Sequence, residues 1–317
     1  KNIGFDFGLF GNHLNGNINY YINETRDLLI TRRIAPSAGL DNPTLNVGKM
    51  RNQGFELELN WNDKINDFEY NVGFNISTIA NKVVALANED QTIYGVGLKY
   101  GTEHFPTQTK VGKPIGAFYL YQADGIFQSL EEVQAHKNSK GELLQPNAQP
   151  GDVRFKDMNG DGVIDEDDKT YSGTGIAKVE ANLNLGASYK GFDFSAVIGS
   201  AFGNKIYNGI RYYYEGMNSG SNFLKTTLNA WTPTNTKTDI PRAVFGDPHY
   251  TRESTRFLEN GDFVRLRQVQ LGYTLPKALS KHIYCESIRF YVSAENVFTI
   301  TGYSGANPEF SQGVLNS

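Results

Sequence analysis

The sequence has 317 residues and a mass of 35.3 kDa. Its 30 Lys and Arg against 34 Asp and Glu leave a formal net charge of -4, without the clustered basic excess that a nucleic-acid surface needs. The single cysteine, Cys285, excludes an intramolecular disulfide framework and a cysteine zinc site, and no run of about 18 apolar residues offers a transmembrane helix. Aromatic residues make up 13% of the chain and Gly contributes 33 residues, against an apolar fraction of 39%. A transmembrane β-barrel has such a mixture, because half of each strand faces water. A soluble all-β protein can have it too.

In chain order, the first strand, Ile3–Phe10, alternates weakly. The second sets Leu14, Gly16, Ile18, Tyr20 and Ile22 against Asn15, Asn17, Asn19, Tyr21 and Asn23. Phe55, Leu57, Leu59 and Trp61 then oppose Glu56, Glu58 and Asn60, and Phe68, Tyr70, Val72, Phe74 and Ile76 oppose Glu69, Asn71, Gly73, Asn75 and Ser77. Val179–Tyr189, Phe192–Ser200, Phe263–Leu275 and Ile288–Glu295 complete eight strands, each near the length that a tilted strand needs to cross a bilayer. Arg265 and Arg267 share the parity of Val269. Either the apolar band begins after them, or a bulge resets the register.

Short links, Gly11–His13, Asn62–Asp67, Lys190–Gly191 and Pro276–Ser287, join the strands in pairs. Long excursions, Thr31–Gly54, Thr78–Lys178 and Ala201–Asp262, separate the pairs. Alternation of short turns and long loops is the plan of an outer-membrane barrel. Trp61, Phe68, Tyr189, Phe192, Tyr273 and Phe290 cluster near the short turns, where an interfacial aromatic girdle belongs. The expected fold class is therefore all-β, a transmembrane antiparallel β-barrel with long extracellular loops. Glu56, Glu58 and Glu69 then line a polar lumen wall.

Within the longest excursion, Ala117–Phe127 and Val153–Phe155 look strand-like, and Ser129–Glu132 is a capping box opening a helix to about Asn138. The segment at about 78–178 is expected to form an extracellular loop subdomain. Phe223–Trp231 is a second expected helix, stopped by Pro233.

The sharpest motif is Asp157–Asp168, which fits a twelve-residue calcium loop. Asp157, Asn159 and Asp161 supply oxygen at positions 1, 3 and 5, Gly162 makes the turn at position 6, and the Val163 carbonyl follows. Asp165 acts through water at position 9, and Asp168 replaces the usual Glu at position 12 with a shorter arm. The expectation is one structural calcium ion; the alternative is a turn held by Asp and Asn side chains bonding their own backbone. Tyr212, Tyr213 and Tyr214 could stack on a sugar or simply pack their loop. No zinc-binding His pair, nucleophile elbow, phosphate loop or dinucleotide fingerprint is present, so no enzyme is expected.

With Gly151–Phe155 leading into the acidic loop, the chain resembles the SusC/RagA-type TonB-dependent outer-membrane transporters of Bacteroidota. Gly54–Asn60, Val72–Ser77, Gly112–Phe127, Trp231–Ala243, Ser254–Pro276 and Ile288–Phe298 resemble that family in the same order. The resemblance implies that residues 1–317 supply the C-terminal part of a 22-stranded barrel, the plug, the TonB-contacting segment and the aromatic final strand lying outside the chain. It also implies import of oligosaccharides or peptides with a SusD-like surface lipoprotein, powered through TonB. Without the resemblance, the residues also admit a secreted calcium-dependent glycan-binding β-sandwich.

Overall fold

The computed structural model describes residues 1–31, 44–87, 91–100, 102–216, 222–282 and 284–309. They form two compact units. The first comprises Lys1–Ala85, Ile176–Asn204 and Gly261–Tyr303 and consists of one antiparallel sheet. Its eight main strands, in spatial order, are Asn2–Leu9, Leu14–Thr31, Thr44–Ile65, Phe68–Thr78, Val179–Tyr189, Phe192–Phe202, Phe263–Thr274 and Arg289–Thr301. Spatial order equals chain order, so every neighbour is a hairpin partner or is reached across one long excursion. All eight strands expected from the alternation are present. Among the described residues no helix is long and apolar enough to cross a membrane.

Two boundaries differ from expectation. Much of the excursion expected at Thr31–Gly54 is strand: Leu14–Thr31 runs for 18 residues and Thr44–Ile65 for 22, and residues 32–43 lie outside the described set. A further strand, Ala80–Ala85, continues the line of Phe68–Thr78 and pairs with Lys49–Gln53. The alternation is hard to see there because the outward positions hold charges rather than apolar side chains. Glu24 faces Arg51, and Arg51 faces Lys82 across the strands.

Of the two readings of the Arg265 and Arg267 parity, the bulge is the one present. Val197 faces Gln268 and Ile198 faces Leu266, leaving Arg267 as the extra residue. Against the last strand the register shifts at the same step, but there the extra residue belongs to the last strand: Leu266 faces Phe298 and Gln268 faces Glu295. The bulge at Arg267 turns Val264 and Leu266 onto the apolar face, and the Arg267 guanidinium lies over Gly199 on the other. The tight Lys190–Gly191 turn has positive φ at both residues, the geometry of a two-residue hairpin whose twist matches its strands.

The second unit comprises Leu86–Gly175 and Lys205–Asn260, with the segment from Ser304. The subdomain expected at about 78–178 is thus only part of it. Its sheet orders Thr170–Thr174, Ala117–Leu120, Thr107–Thr109 and Ile93–Tyr94, with three two-stranded ribbons beside it. One core gathers Tyr121, Ile126, Val153, Phe155, Ile164 and Trp231; another gathers Tyr212, Tyr250 and Phe257. The Leu130–Ala135 helix starts as expected, Ser129 Oγ accepting the Glu132 N–H at 3.3 Å. The reciprocal bond comes from Gln128 N to the Glu132 carboxylate at 2.8 Å. The helix expected at Phe223–Trp231 is a 3-10 turn, Lys225–Asn229. Its two Thr residues weaken helix propensity, and the Thr227 hydroxyl donates instead to Glu215 O at 2.8 Å.

Candidate functional site

The sheet separates two chemistries. Across the strands, Phe7, Gly16, Leu59, Phe74, Leu183, Ile198, Leu266 and Phe298 fall in one row. Nearer the short turns, Val72, Leu185, Ala196, Val269 and Ala294 form another, and Phe68, Tyr189, Phe192, Tyr273 and Phe290 close the band. Phe192 and Tyr273 pack with tilted rings, centroids 4.5 Å apart, and Trp61 donates its indole N–H to the Tyr70 hydroxyl at 3.2 Å. This is the aromatic edge that the sequence suggested. From Phe68 to Thr78 the band is 11 residues deep, the span of a tilted transmembrane strand.

The apolar face is open. Phe55 is 59% exposed, Leu271 57% and Val292 78%. A sandwich would bury these rows against a second sheet. The opposite face is polar and hydrogen-bonded to itself. Asn17 donates to Glu58 at 3.0 Å, Asn60 to Glu58 at 2.8 Å and Asn182 to Asn75 at 2.9 Å. A groove of about 690 Å³ at its short-turn end is lined by Asn62, Lys64, Glu69, Asn71, Asn184 and Ser195, among others. The sheet is therefore built to stand between an apolar medium and water.

In the second unit, the Asp157–Asp168 loop is closed by its own backbone. Asp157 accepts from Gly160 N at 2.6 Å and Gly162 N at 2.9 Å. Asp168, fully buried, accepts from Met158 N at 2.6 Å and Asp165 N at 2.8 Å. Asp161 accepts from Val163 N at 2.9 Å, Asn159 accepts from Asp161 N at the same distance, and Asp165 caps a 3-10 turn at Glu166–Asp168. Gly162 has φ 91, a left-handed conformation that glycine adopts without strain. The donor set is hard oxygen and suits calcium. Among the described residues, however, no three acidic groups of this loop bring ligand atoms within 4.8 Å of one another.

One other cluster does meet that distance: Asp152, Asp247 and His249, all buried. A cation already serves it. Arg242 grips Asp152 with Nε and Nη2, and Gln149 N adds a bond at 2.8 Å. Burial, and then the Asp152 charge, push the Asp247 carboxyl up, and burial pushes His249 down. Sequence reading missed this knot because its members come from distant segments. The only signal was that Asp152 and Arg242 each fall in a family-like stretch.

Tyr212, Tyr213 and Tyr214 do not form one surface. They lie on a short helix, Gly209–Tyr214. Tyr212 is fully buried, donates to Thr251 O at 2.9 Å and packs edge-on against Phe257, so it serves the core. Tyr214 is exposed.

The family model described as "TonB dependent receptor-like, beta-barrel" matches residues 1–297. The chain belongs to this family. TonB-dependent receptor P3 of Formosa agariphila is 30% identical over 97% of the chain, and TonB-dependent receptor SusC of Bacteroides thetaiotaomicron is 26% identical over 99%. The solved RagAB peptide transporter superposes on 97% of the chain with a TM-score of 0.76 and 26% identity. The chain spans about a third of the length of these relatives: 30% of P3, 29% of SusC and 32% of the RagAB chain. The antiparallel strands are thus those of a TonB-dependent receptor β-barrel domain of SusC/RagA type.

Proposed function

We propose that this chain is the C-terminal part of the wall of an outer-membrane importer that moves oligosaccharides or peptides into the periplasm. The observation that carries this reading is the two-faced sheet, apolar and open outside, polar and self-bonded inside. Family membership and the SusC and RagAB likenesses support it. On this reading a SusD-like lipoprotein closes the extracellular side and the TonB complex supplies the energy. The test is uptake by a strain lacking the intact receptor, screened on single oligosaccharide and peptide nutrients. Loss of growth on one nutrient, restored by the wild-type gene, supports import. Wild-type growth of that strain on every nutrient, together with absence of the receptor from the outer-membrane fraction of the parent strain, refutes it.

We also propose that Asp157–Asp168 takes one calcium ion and that the ion orders its loop without chemistry. Asp157 and Asp168 would be the principal anionic ligands, with Asn159, Asp161, the Val163 carbonyl and Asp165 completing the set. The two Asp157 oxygens accept one N–H bond each, which leaves each a lone pair for a cation. Calorimetry on the intact receptor should show calcium uptake in the wild type and none with Asp157→Ala/Asp161→Ala. Equal heats in both, or none in either, would leave a self-bonded turn.

A further inference from the structure

The three strands that run past the apolar band carry a cationic cluster on their outer side. Tyr20 and Phe55 pair at the edge of the band, with ring centroids 4.8 Å apart. Two residues on, Ile22 faces Gln53; two further, Glu24 faces Arg51 and Arg51 faces Lys82. Period-two geometry puts Glu24, Arg51 and Lys82 on the same side as Tyr20 and Phe55. The row lies about 13 Å beyond the aromatic pair along the strand, at roughly 3.3 Å per residue. Glu24 is the hub. Its carboxylate takes Arg51 at 2.6 Å, Lys49 at 3.1 Å and Arg26 at 3.3 Å. Three cations share one carboxylate, and Lys82 stands exposed beside them.

A lone surface ion pair needs one cation. Three held by one anion leave an excess of positive charge in a fixed array; Glu24 occupies Nε and Nη2 of Arg51, and the remaining Arg51 N–H groups, with the ammonium groups of Lys49 and Lys82, are donors that suit a phosphate. The array sits at the long-connection end of the strands, which faces outward in an outer-membrane barrel. At that height above the hydrocarbon edge, an outward-pointing side chain meets lipid headgroups. We propose that Arg26, Lys49, Arg51 and Lys82 form a binding site for the phosphate groups of an anionic outer-leaflet lipid, with Glu24 holding the cations in place. The proposal rests on the outer-membrane reading above. It adds a lipid contact on the outer wall, on the face opposite to the lumen.

The test uses the intact receptor in vesicles of phosphatidylcholine doped with a diphosphorylated glucosamine lipid, or with the same lipid stripped of its phosphates. After re-extraction, mass spectrometry counts the lipid retained per receptor. Heat-modifiable gel migration first confirms that each variant is an inserted barrel; if the wild type fails that check, the outer-membrane reading itself fails. Lys49→Gln/Arg51→Gln should lower retention of the phosphorylated lipid by roughly thirtyfold, and the milder Lys82→Gln by about fivefold. Lys64→Gln, at the short-turn end, should change nothing. The phosphate-free lipid should be retained weakly and equally by all variants, and added inorganic phosphate should displace little of the phosphorylated one. Equal retention of the phosphorylated lipid by inserted wild type, Lys82→Gln and the double variant would overturn the proposal.

Discussion

The two units of this chain solve opposite problems. The sheet unit displays its apolar side chains and bonds its polar ones in the open. The loop unit hides its charges: Glu215, 2% exposed, is held between Arg211 at 3.1 Å and Arg256 at 2.8 Å, and Glu253 between Lys169 and His104. The difference follows from the available cores. Among the described residues the sheet has no second layer of its own, so its apolar rows need an apolar medium. The loop unit is built from two distant excursions, and with only small apolar clusters it is also tied together by buried ion pairs and backbone bonds. Trp231 N donates to Ile240 O at 2.9 Å, Arg242 N to Gly151 O at 2.9 Å, and Thr255 N to Tyr121 O at 2.9 Å.

Removing one anion from the loop unit should have the largest effect. Glu215→Ala leaves Arg256 and Arg211 without a shared partner and should cost about 3–5 kcal/mol locally, as expected for one member of a buried pair. Hydrogen exchange should show early opening of Gly209–Tyr214 and Lys225–Asn229 while the sheet strands keep their protection. Equal loosening of the sheet would mean that the two units are one cooperative body.

The next test sits in the sheet. Leu183 and Asn184 are neighbours on opposite faces, facing Phe74 and Gly73 respectively. Leu183→Arg should destabilise the inserted barrel by about 2–4 kcal/mol near the midplane. Asn184→Arg should cost far less, because it projects beside other polar groups. Equal losses in denaturant unfolding from vesicles would remove the assignment of faces.

These tests concern features of unequal visibility in the sequence. The eight strands were legible because alternation of apolar and polar residues is a direct image of a sheet with two solvents. The bulge was legible because Arg265 and Arg267 broke a parity that Val269 and Leu271 kept. The extension of Thr44–Ile65 and the strand Ala80–Ala85 were not, since beyond the band the outward positions hold Glu24, Arg51 and Lys82 while the other face holds Met50 and Val83, so the apolar-out pattern is lost. Tyr212 was left open between stacking and packing for a related reason. Three consecutive tyrosines look like a surface, but on a helix they point in three directions, and one of them fills a core that is assembled from distant segments. The Asp152–Arg242 pairing was not legible because its members lie 90 residues apart in two different excursions, and falling in family-like stretches does not say that two residues meet.

A smaller effect distinguishes the units by pH. Burial raises the Glu253 carboxyl, but His104 and Lys169 outweigh it and hold it below the ordinary carboxylate range. Its contribution is therefore present at neutral pH, above the unfolded value, and is lost as pH falls through the lowered folded value. Loop-unit protection should fade on acidification, and Glu253→Gln should remove that component. A Glu253→Gln protein with the wild-type pH profile would show that the pair contributes nothing there.

The most direct measurement is a cysteine scan along Val179–Tyr189 in a Cys285→Ser background of the intact receptor, in its membrane. Each position is probed with a water-soluble maleimide and with a fluorophore quenched by spin-labelled lipid. Strict alternation is expected: Ala181, Leu183, Leu185 and Ala187 positions quenched by lipid and slow to label, Asn182, Asn184, Gly186 and Ser188 positions labelled from water and unquenched. Uniform labelling along the strand, or quenching at the even positions, would contradict it.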